Sequence, residues 1–338
     1  MRGPKTIAAL ISALLVALLG ALVAALPVSA GVAPKPLYRD PVHDGAADAS
    51  IVYDRHARTW MMFYTNRRAT LTHDDPKDVS WVHGTSIGVA TSNDGQSWTY
   101  SGVADIPAAC TGATLWAPEL YEEDGTYHMW LTVVPGIFKT WQGDRRIVHL
   151  ISKDLKSWSC SDVLDLGSDR VIDASVIKRN DGYRLWFKDE RKGSRLFAAD
   201  SPDMIHWTRQ DTPVVDMAAE GPKVFRFRGY YWMIADAWKG LIVLRSSDAQ
   251  TWTLQDARLL ETPGTQPTDR GKGQHPDIVV TGDHAYLFYF VHQGNEPEAQ
   301  TDPFYTQRTV IQVGELLFKD GQLSIDRNAP VDVHFTAP

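Results

Sequence analysis

The chain writes one phrase five times. A strand-like run, a tight turn and a second strand rich in aromatic and aliphatic residues recur as DASIVYDRHARTWMMFYT from Asp48, WAPELYEEDGTYHMWLT from Trp116, DASVIKRNDGYRLWFK from Asp173, EGPKVFRFRGYYWMIAD from Glu220 and HPDIVVTGDHAYLFYF from His275. Turn signals such as EDG, NDG, FRG and TGD between such runs mark β-hairpins. Four of the five are followed by Ser-x-Asp-x-x-x-Trp, ending at Trp98, Trp158, Trp207 and Trp252. Units of roughly 45 to 70 residues, each worth four strands and with scarcely a helical pattern, predict an all-β fold. The expected architecture is a five-bladed β-propeller, with four-stranded antiparallel blades around an axial funnel. TVIQVGELLFKDGQLSI is expected to finish the fifth blade. A strand soon after residue 30 is expected to complete the ring, because closure removes exposed sheet edges. The four closing tryptophans are expected to pack between blades and to carry no chemistry.

The N-terminus reads differently. Arg2 and Lys5 precede an apolar run from Ile7 to Leu26, and small residues follow in PVSAG. That is the pattern of an export signal, residues 1–30, cleaved after Ala30, with a propeller domain over residues 31–338 and a secreted product. The run is also long enough to span a bilayer, so an uncleaved anchor is the competing reading, and the only one that brings in a membrane. With Arg2 and Lys5 set aside, 32 basic residues face 41 acidic ones, a net charge of −9, with no basic cluster of the kind nucleic acid requires. Two cysteines, Cys110 and Cys160, lie in the exported part, where a disulfide would persist; whether they pair is left open.

In a propeller the first strand of every blade lies innermost and all begin at the same end of the axis. Asp48, Trp116, Asp173, Glu220 and His275 are therefore expected to converge on one funnel. Three carboxylates crowded into a partly desolvated site destabilise a fold, which argues for a function that needs them. Glycoside cleavage is such a function, since it uses one protonated carboxyl group to protonate the leaving oxygen and one ionised carboxylate to activate water. A third carboxylate beside the acid would raise its pKa, and Asp173 is suited to that because its blade adjoins that of Glu220.

The phrases DASI, WAPE, IDAS and EGP at the heads of blades one to four resemble the inverting five-bladed glycosidases of glycoside hydrolase family 43 and its relatives. The resemblance covers nearly all of residues 31–338 and is strongest at EGPKVFRFRGYYWM. It implies that Asp48 is the general base, that Asp173 tunes the acid and orients substrate, and that Glu220 is the general acid. The chain departs from the family in having Asp48-Ala49 and Asp173-Ala174 where Asp-Pro is usual. Retaining relatives, marked by NDPNG, RDP and EC phrases, are a poorer match. For His275 the resemblance implies a place near a calcium or sodium ion in the axial channel, although other relatives use a histidine as the acid and a buried structural role is equally open. No cofactor is required by the chemistry.

Around the carboxylates, Trp116 offers an indole face for a sugar ring or a packed core residue. Glu119 is a candidate acceptor of sugar hydroxyls. Second strands end in polar residues that are candidates to line the funnel: Arg67 and Arg68 in NRR, Lys188 in KDER, and Asp236 and Trp238 in ADAW. The insertions TLTHDDPKDVSWVHG and PGIFKTWQGDRR are suited to wall it in, which favours exo action. The expected function is a secreted, inverting, exo-acting glycosidase releasing an arabinofuranose-, xylose-, galactose- or galactofuranose-type sugar. Two alternatives stand beside it: a carbohydrate-binding propeller without turnover, and a phosphorolytic glycosidase in which Arg67, Arg68, Lys188 and His275 hold phosphate.

Overall fold

All five hairpins form, and each extends outward into a blade. The computed structural model describes residues 31–338; the expected export signal, residues 1–30, lies outside the described residues. Five antiparallel four-stranded sheets occupy residues 46–103, 114–163, 171–209, 220–254 and 274–325, their strands in chain order across each sheet. The first strands pack side by side in a closed ring, blade five meeting blade one. Five clusters of buried apolar side chains lie one between each pair of adjacent blades, and a smaller sixth gathers Val82, Trp116, Ala117 and Val134. Several hairpin turns place both central residues at positive φ, as at Asp124-Gly125 and Arg228-Gly229, the geometry whose twist matches that of the flanking strands.

The Ser-x-Asp-x-x-x-Trp phrases turn the chain from the third strand of a blade to the fourth. In the first, Ser92 Oγ accepts the Gly95 N–H and Asp94 Oδ1 accepts those of Gln96 and Ser97. Asp154, Asp203 and Asp248 do the same in blades two to four. The tryptophan then packs on the second strand of the preceding blade: Trp158 on Phe63, Trp207 on Trp130 and Trp252 on Trp186, with centroids 6.0, 6.3 and 5.9 Å apart. Blade five lacks the phrase, and Phe318 fills the equivalent place against Trp232 at 6.1 Å.

Ring closure differs from expectation. Residues 31–45 supply no full strand, because the four strands of blade five all come from residues 274–325. They act as a strap, pairing Tyr38 with Ile311 and Gly45 with Thr309 along a stretch of the third strand of blade five that the fourth strand leaves uncovered. The C-terminal tail crosses the other way, with the Phe335 ring tilted against Trp60 of blade one, centroids 4.3 Å apart. The strap carries an RDP tripeptide, a phrase shared with retaining relatives, but its Asp40 bonds Tyr64 and Asn66 and lies outside the central pocket.

Cys110 and Cys160 form a disulfide that ties the connection between blades one and two to the outermost strand of blade two. Among the described residues, no helix is long and apolar enough to cross a membrane.

One detail of register decides where the blade heads point. Every inner strand has a break near its start, where two residues oppose one on the partner. The residue at the break has left-handed backbone in all five: Asp48 (φ 51°), Ala117 (43°), Asp173 (60°), Gly221 (54°) and His275 (43°). The structural equivalents of Asp48 are thus Asp173, His275, Ala117 and Gly221. Trp116 and Glu220 stand one residue earlier, which corrects the expectation that all five heads are equivalent. The bulge lets both positions reach the funnel, as simple strand alternation does not.

Candidate active site

The five bulges surround one pocket of about 340 Å³, and Asp48, Asp173 and Glu220 all line it. Asp48 accepts a hydrogen bond from Arg67 Nη2 at 3.3 Å and has His275 Nδ1 3.4 Å away. Burial alone would push its carboxyl up. The positive charges of Arg67 and His275 outweigh that and hold it below the usual carboxylate range, so Asp48 is ionised at neutral pH. Arg67 is itself steadied by lying over the Phe290 ring.

Asp173 is held from both sides. Its N–H donates to Thr132 Oγ1 of blade two at 3.1 Å, and its Oδ2 accepts the N–H of Gly221 in blade four at 3.0 Å. Burial pushes its carboxyl up to about 6; His275 pulls the other way and Glu220 adds to the rise. Glu220 receives Lys188 Nζ on Oε2 at 2.8 Å and the Trp238 indole N–H on Oε1 at 2.9 Å. With a quarter of its side chain exposed (24%), it is more open to an entering ligand than Asp48 (8%). His275 is buried, which disfavours its charge, but Asp48, Asp173, Glu220 and Asp236 together raise its pKa. One pocket therefore holds an ionised carboxylate, a carboxyl that keeps its proton up to about pH 6 and a more open glutamate: the components of acid–base chemistry on an ether-like bond.

Asp173 carries a pH prediction. A raised folded-state pKa means that the folded chain binds the proton more tightly than the unfolded one, so stability from this group is present below about pH 4 and lost as pH rises to about 6. Asp173→Asn should raise the melting temperature at neutral pH and leave it nearly unchanged at about pH 4. Thermal unfolding of both proteins across that range checks this; equal curves at neutral pH would contradict it.

Gly221 shows why its position must be glycine. A Cβ there would lie 2.7 Å from His275 Nδ1, and its φ of +54° disfavours any side chain. Gly221→Ala should destabilise by about 2 kcal/mol or more, through backbone strain and overpacking, and should displace His275 from Asp48. Denaturant unfolding measures the first and turnover the second; an unchanged midpoint and rate would contradict the packing argument.

These features can be set beside known proteins. A model of the glycoside hydrolase family 43-related domain, described as a probable glycosyl hydrolase domain, matches residues 37–267. The chain belongs to this family. No curated protein sequence matches it. Solved family 43 structures share the fold at low identity. A β-xylosidase/α-arabinofuranosidase from a compost metagenome, solved with xylotriose in calcium-free form, is 18% identical at a TM-score of 0.62, over 86% of this chain and 96% of its own. A Xanthomonas citri enzyme complexed with xylose is 15% identical at 0.59, over 85% and 92%. An exo-1,5-α-L-arabinanase from a bovine ruminal metagenomic library is 14% identical at 0.56, over 83% and 97%.

Within this glycosidase the remaining candidates divide. Trp116, Arg67, Lys188, Trp238 and His275 line the pocket. Trp116 does so with a ring already covered by the Arg145 guanidinium at 5.0 Å, so that face is not free for a sugar. Three others do not line it. Arg68 turns away to brace a loop through the carbonyls of Ser80 and His83. Asp236 sits behind Glu220, accepting from the Trp238 N–H and Gln274, and burial with Glu220 pushes it up to about 6. Glu119 lies beneath the pocket, paired with Lys223. With Arg68 turned away, Lys188 on Glu220, and Arg67 and His275 on Asp48, the cations expected to hold phosphate are committed to other partners.

Sequence reasoning passed over Trp141, Arg145 and Glu190, which also line the pocket. Trp141 is half exposed (53%), yet its carbonyl accepts from Arg145 and from Arg170, and Glu190 pairs with both arginines. An exposed indole on a pinned backbone has the shape and rigidity to stack on a flat apolar face. Glu190 lies just past the strand end in KDER, at the start of the 3-10 turn Glu190–Lys192, with a carboxylate oxygen 3.4 Å from Lys188 Nζ.

The residues around His275 do not fit a metal ion. Among the described residues no group of three or more His, Cys, Asp or Glu side chains is placed to hold one. His275 is drawn to Asp48, and the axial channel below is crossed by the Lys223 ammonium.

Proposed function

We propose that this glycosidase is a secreted, exo-acting, inverting enzyme that removes a terminal arabinofuranose-, xylose-, galactose- or galactofuranose-type sugar from an oligo- or polysaccharide. Asp48 takes a proton from water as that water attacks the anomeric carbon. Glu220 gives a proton to the glycosidic oxygen as the C–O bond breaks. Asp173 fixes the backbone at Gly221 beside the acid. The observation that carries this reading is the contrast between Asp48, held ionised by Arg67 and His275, and Asp173, held up to about 6, in the pocket that also holds Glu220.

Exo action is supported by the pocket volume, at the small end for ligand sites, and by Trp141 and Val82 from the two insertions on its wall. Xylose- and arabinose-type substrates are supported by the xylosidase, arabinofuranosidase and arabinanase activities named for the structural neighbours. Secretion is supported by the N-terminal pattern and the disulfide. A panel of 4-nitrophenyl glycosides, run with Glu220→Gln beside the native protein, identifies the sugar, and NMR of the first-formed anomer reads the stereochemistry. A retained anomer would overturn the water-activating role of Asp48.

A further inference from the structure

Two residues beyond each bulge, the inner strands place Ser50, Glu119, Ser175, Lys223 and Asp277 in a ring beneath the pocket. Four of these accept a backbone N–H from the next blade. Ser50 Oγ receives Leu120 at 3.0 Å, Glu119 Oε1 receives Val176 at 3.2 Å, Ser175 Oγ receives Val224 at 3.0 Å, and Asp277 Oδ2 receives Ile51 at 2.9 Å. A lysine can only donate, so Lys223 breaks the pattern. Its Nζ lies 2.7 Å from Asp277 Oδ1 in blade five and 2.7 Å from Glu119 Oε2 in blade two. Blade two is not a neighbour of blade four, so the side chain crosses the axis to reach it. The exposures of the three side chains are 12, 2 and 7%.

We infer that Lys223 is a cation the chain supplies to its own axial channel, neutralising Glu119 and Asp277 in place of a bound metal, and that the folded enzyme neither holds nor needs a divalent ion there. Two buried carboxylates converging on one point need a positive charge between them. The ammonium supplies it at contact distance. A divalent ion at that point would have to displace Nζ and leave it buried without a partner, and calcium would want six to eight oxygens. The ring has few to give, since the two serine hydroxyls already accept backbone N–H groups. Burial works against the lysine charge, but Asp277 and Glu119 overcome this and raise its pKa.

Lys223 also braces the inner strands. Asp277 holds the N–H of Ile51, three residues past Asp48, and Glu119 holds Ser175 and Val176, just past Asp173. The one ammonium thus steadies the strands that carry two of the four carboxylates lining the pocket, Asp48 and Asp173.

The test needs no substrate. Native protein dialysed against millimolar calcium and then buffer should carry less than about a tenth of an ion per chain by elemental analysis, with a melting temperature unmoved by calcium or chelator. Lys223→Ala should melt several degrees lower and recover part of that loss in calcium, because the freed carboxylates then take the external ion. Lys223→Met, which keeps the volume and removes the charge, should melt lower without the calcium response. One calcium per native chain, or a native melting temperature that falls in chelator, overturns the inference; so does Lys223→Ala with native stability. If neither variant folds, the metal content of the native protein decides. Because these readouts are independent of turnover, their failure is distinct from failure of the proposed hydrolysis.

Discussion

Asp48→Asn and Glu220→Gln are each expected to lower kcat/KM by roughly 10²–10⁴-fold while the melting temperature moves little. The two losses should differ in kind. With Glu220 amidated, no proton reaches the leaving oxygen, so the deficit should shrink as the leaving group becomes more acidic and nearly vanish for a dinitrophenyl glycoside. With Asp48 amidated, attack by water fails whatever departs, so the deficit should persist across leaving groups. Steady-state kinetics on two or three aryl glycosides separates these patterns, and the reverse assignment would exchange the roles of the two residues. Stability should be largely spared because Lys188 keeps Glu190 within 3.4 Å when Glu220 is amidated. Arg67 likewise keeps the Phe290 ring beneath it.

Replacing Cys110 and Cys160 together by serine is expected to destabilise the protein by about 4 kcal/mol, the loop-closure entropy for a separation of 50 residues. For a chain of this size that corresponds to a melting temperature lower by roughly 8 °C. Turnover of the surviving folded fraction should be unchanged, because neither sulfur lies at the pocket. The linkage closes the connection between blades one and two onto the edge strand of blade two, so its loss loosens that junction first. Protein made in a reducing cytosol should melt like the double serine variant and recover on oxidation. Equal melting temperatures for native and variant protein would show that the junction is held by packing alone.

The blades were legible because a repeat multiplies weak signals: one EDG turn says little, while five hairpins with four identical closing phrases say a propeller. The three carboxylates were legible for the same reason. Their exact registration was not. A β-bulge adds one residue without a required residue type, so nothing in WAPE or EGP shows that Ala117 and Gly221, rather than Trp116 and Glu220, take the left-handed position. Glu119 was misplaced by that same residue, since an extra step sends it below the pocket rather than into it. Trp141, Arg145 and Glu190 were hidden differently. They meet through loops from blades two and three, and no local pattern reports a contact between Arg145 and Glu190, 45 positions apart.

The bulge at the head of every blade has a consequence for how such a pocket changes over time. The paired positions at the five breaks together bring seven side chains to the pocket, Asp48, Trp116, Ile172, Asp173, Glu220, Gln274 and His275, so one backbone shape delivers either member of a pair or both. The backbone is shaped by the break itself and not by the residue type, as Asp, Ala, Gly and His in the same conformation demonstrate. Ala47 and Ala117 stay out of the pocket, packed in apolar clusters. A lineage can therefore rewrite its chemistry one side chain at a time at those seven places on an unchanged scaffold.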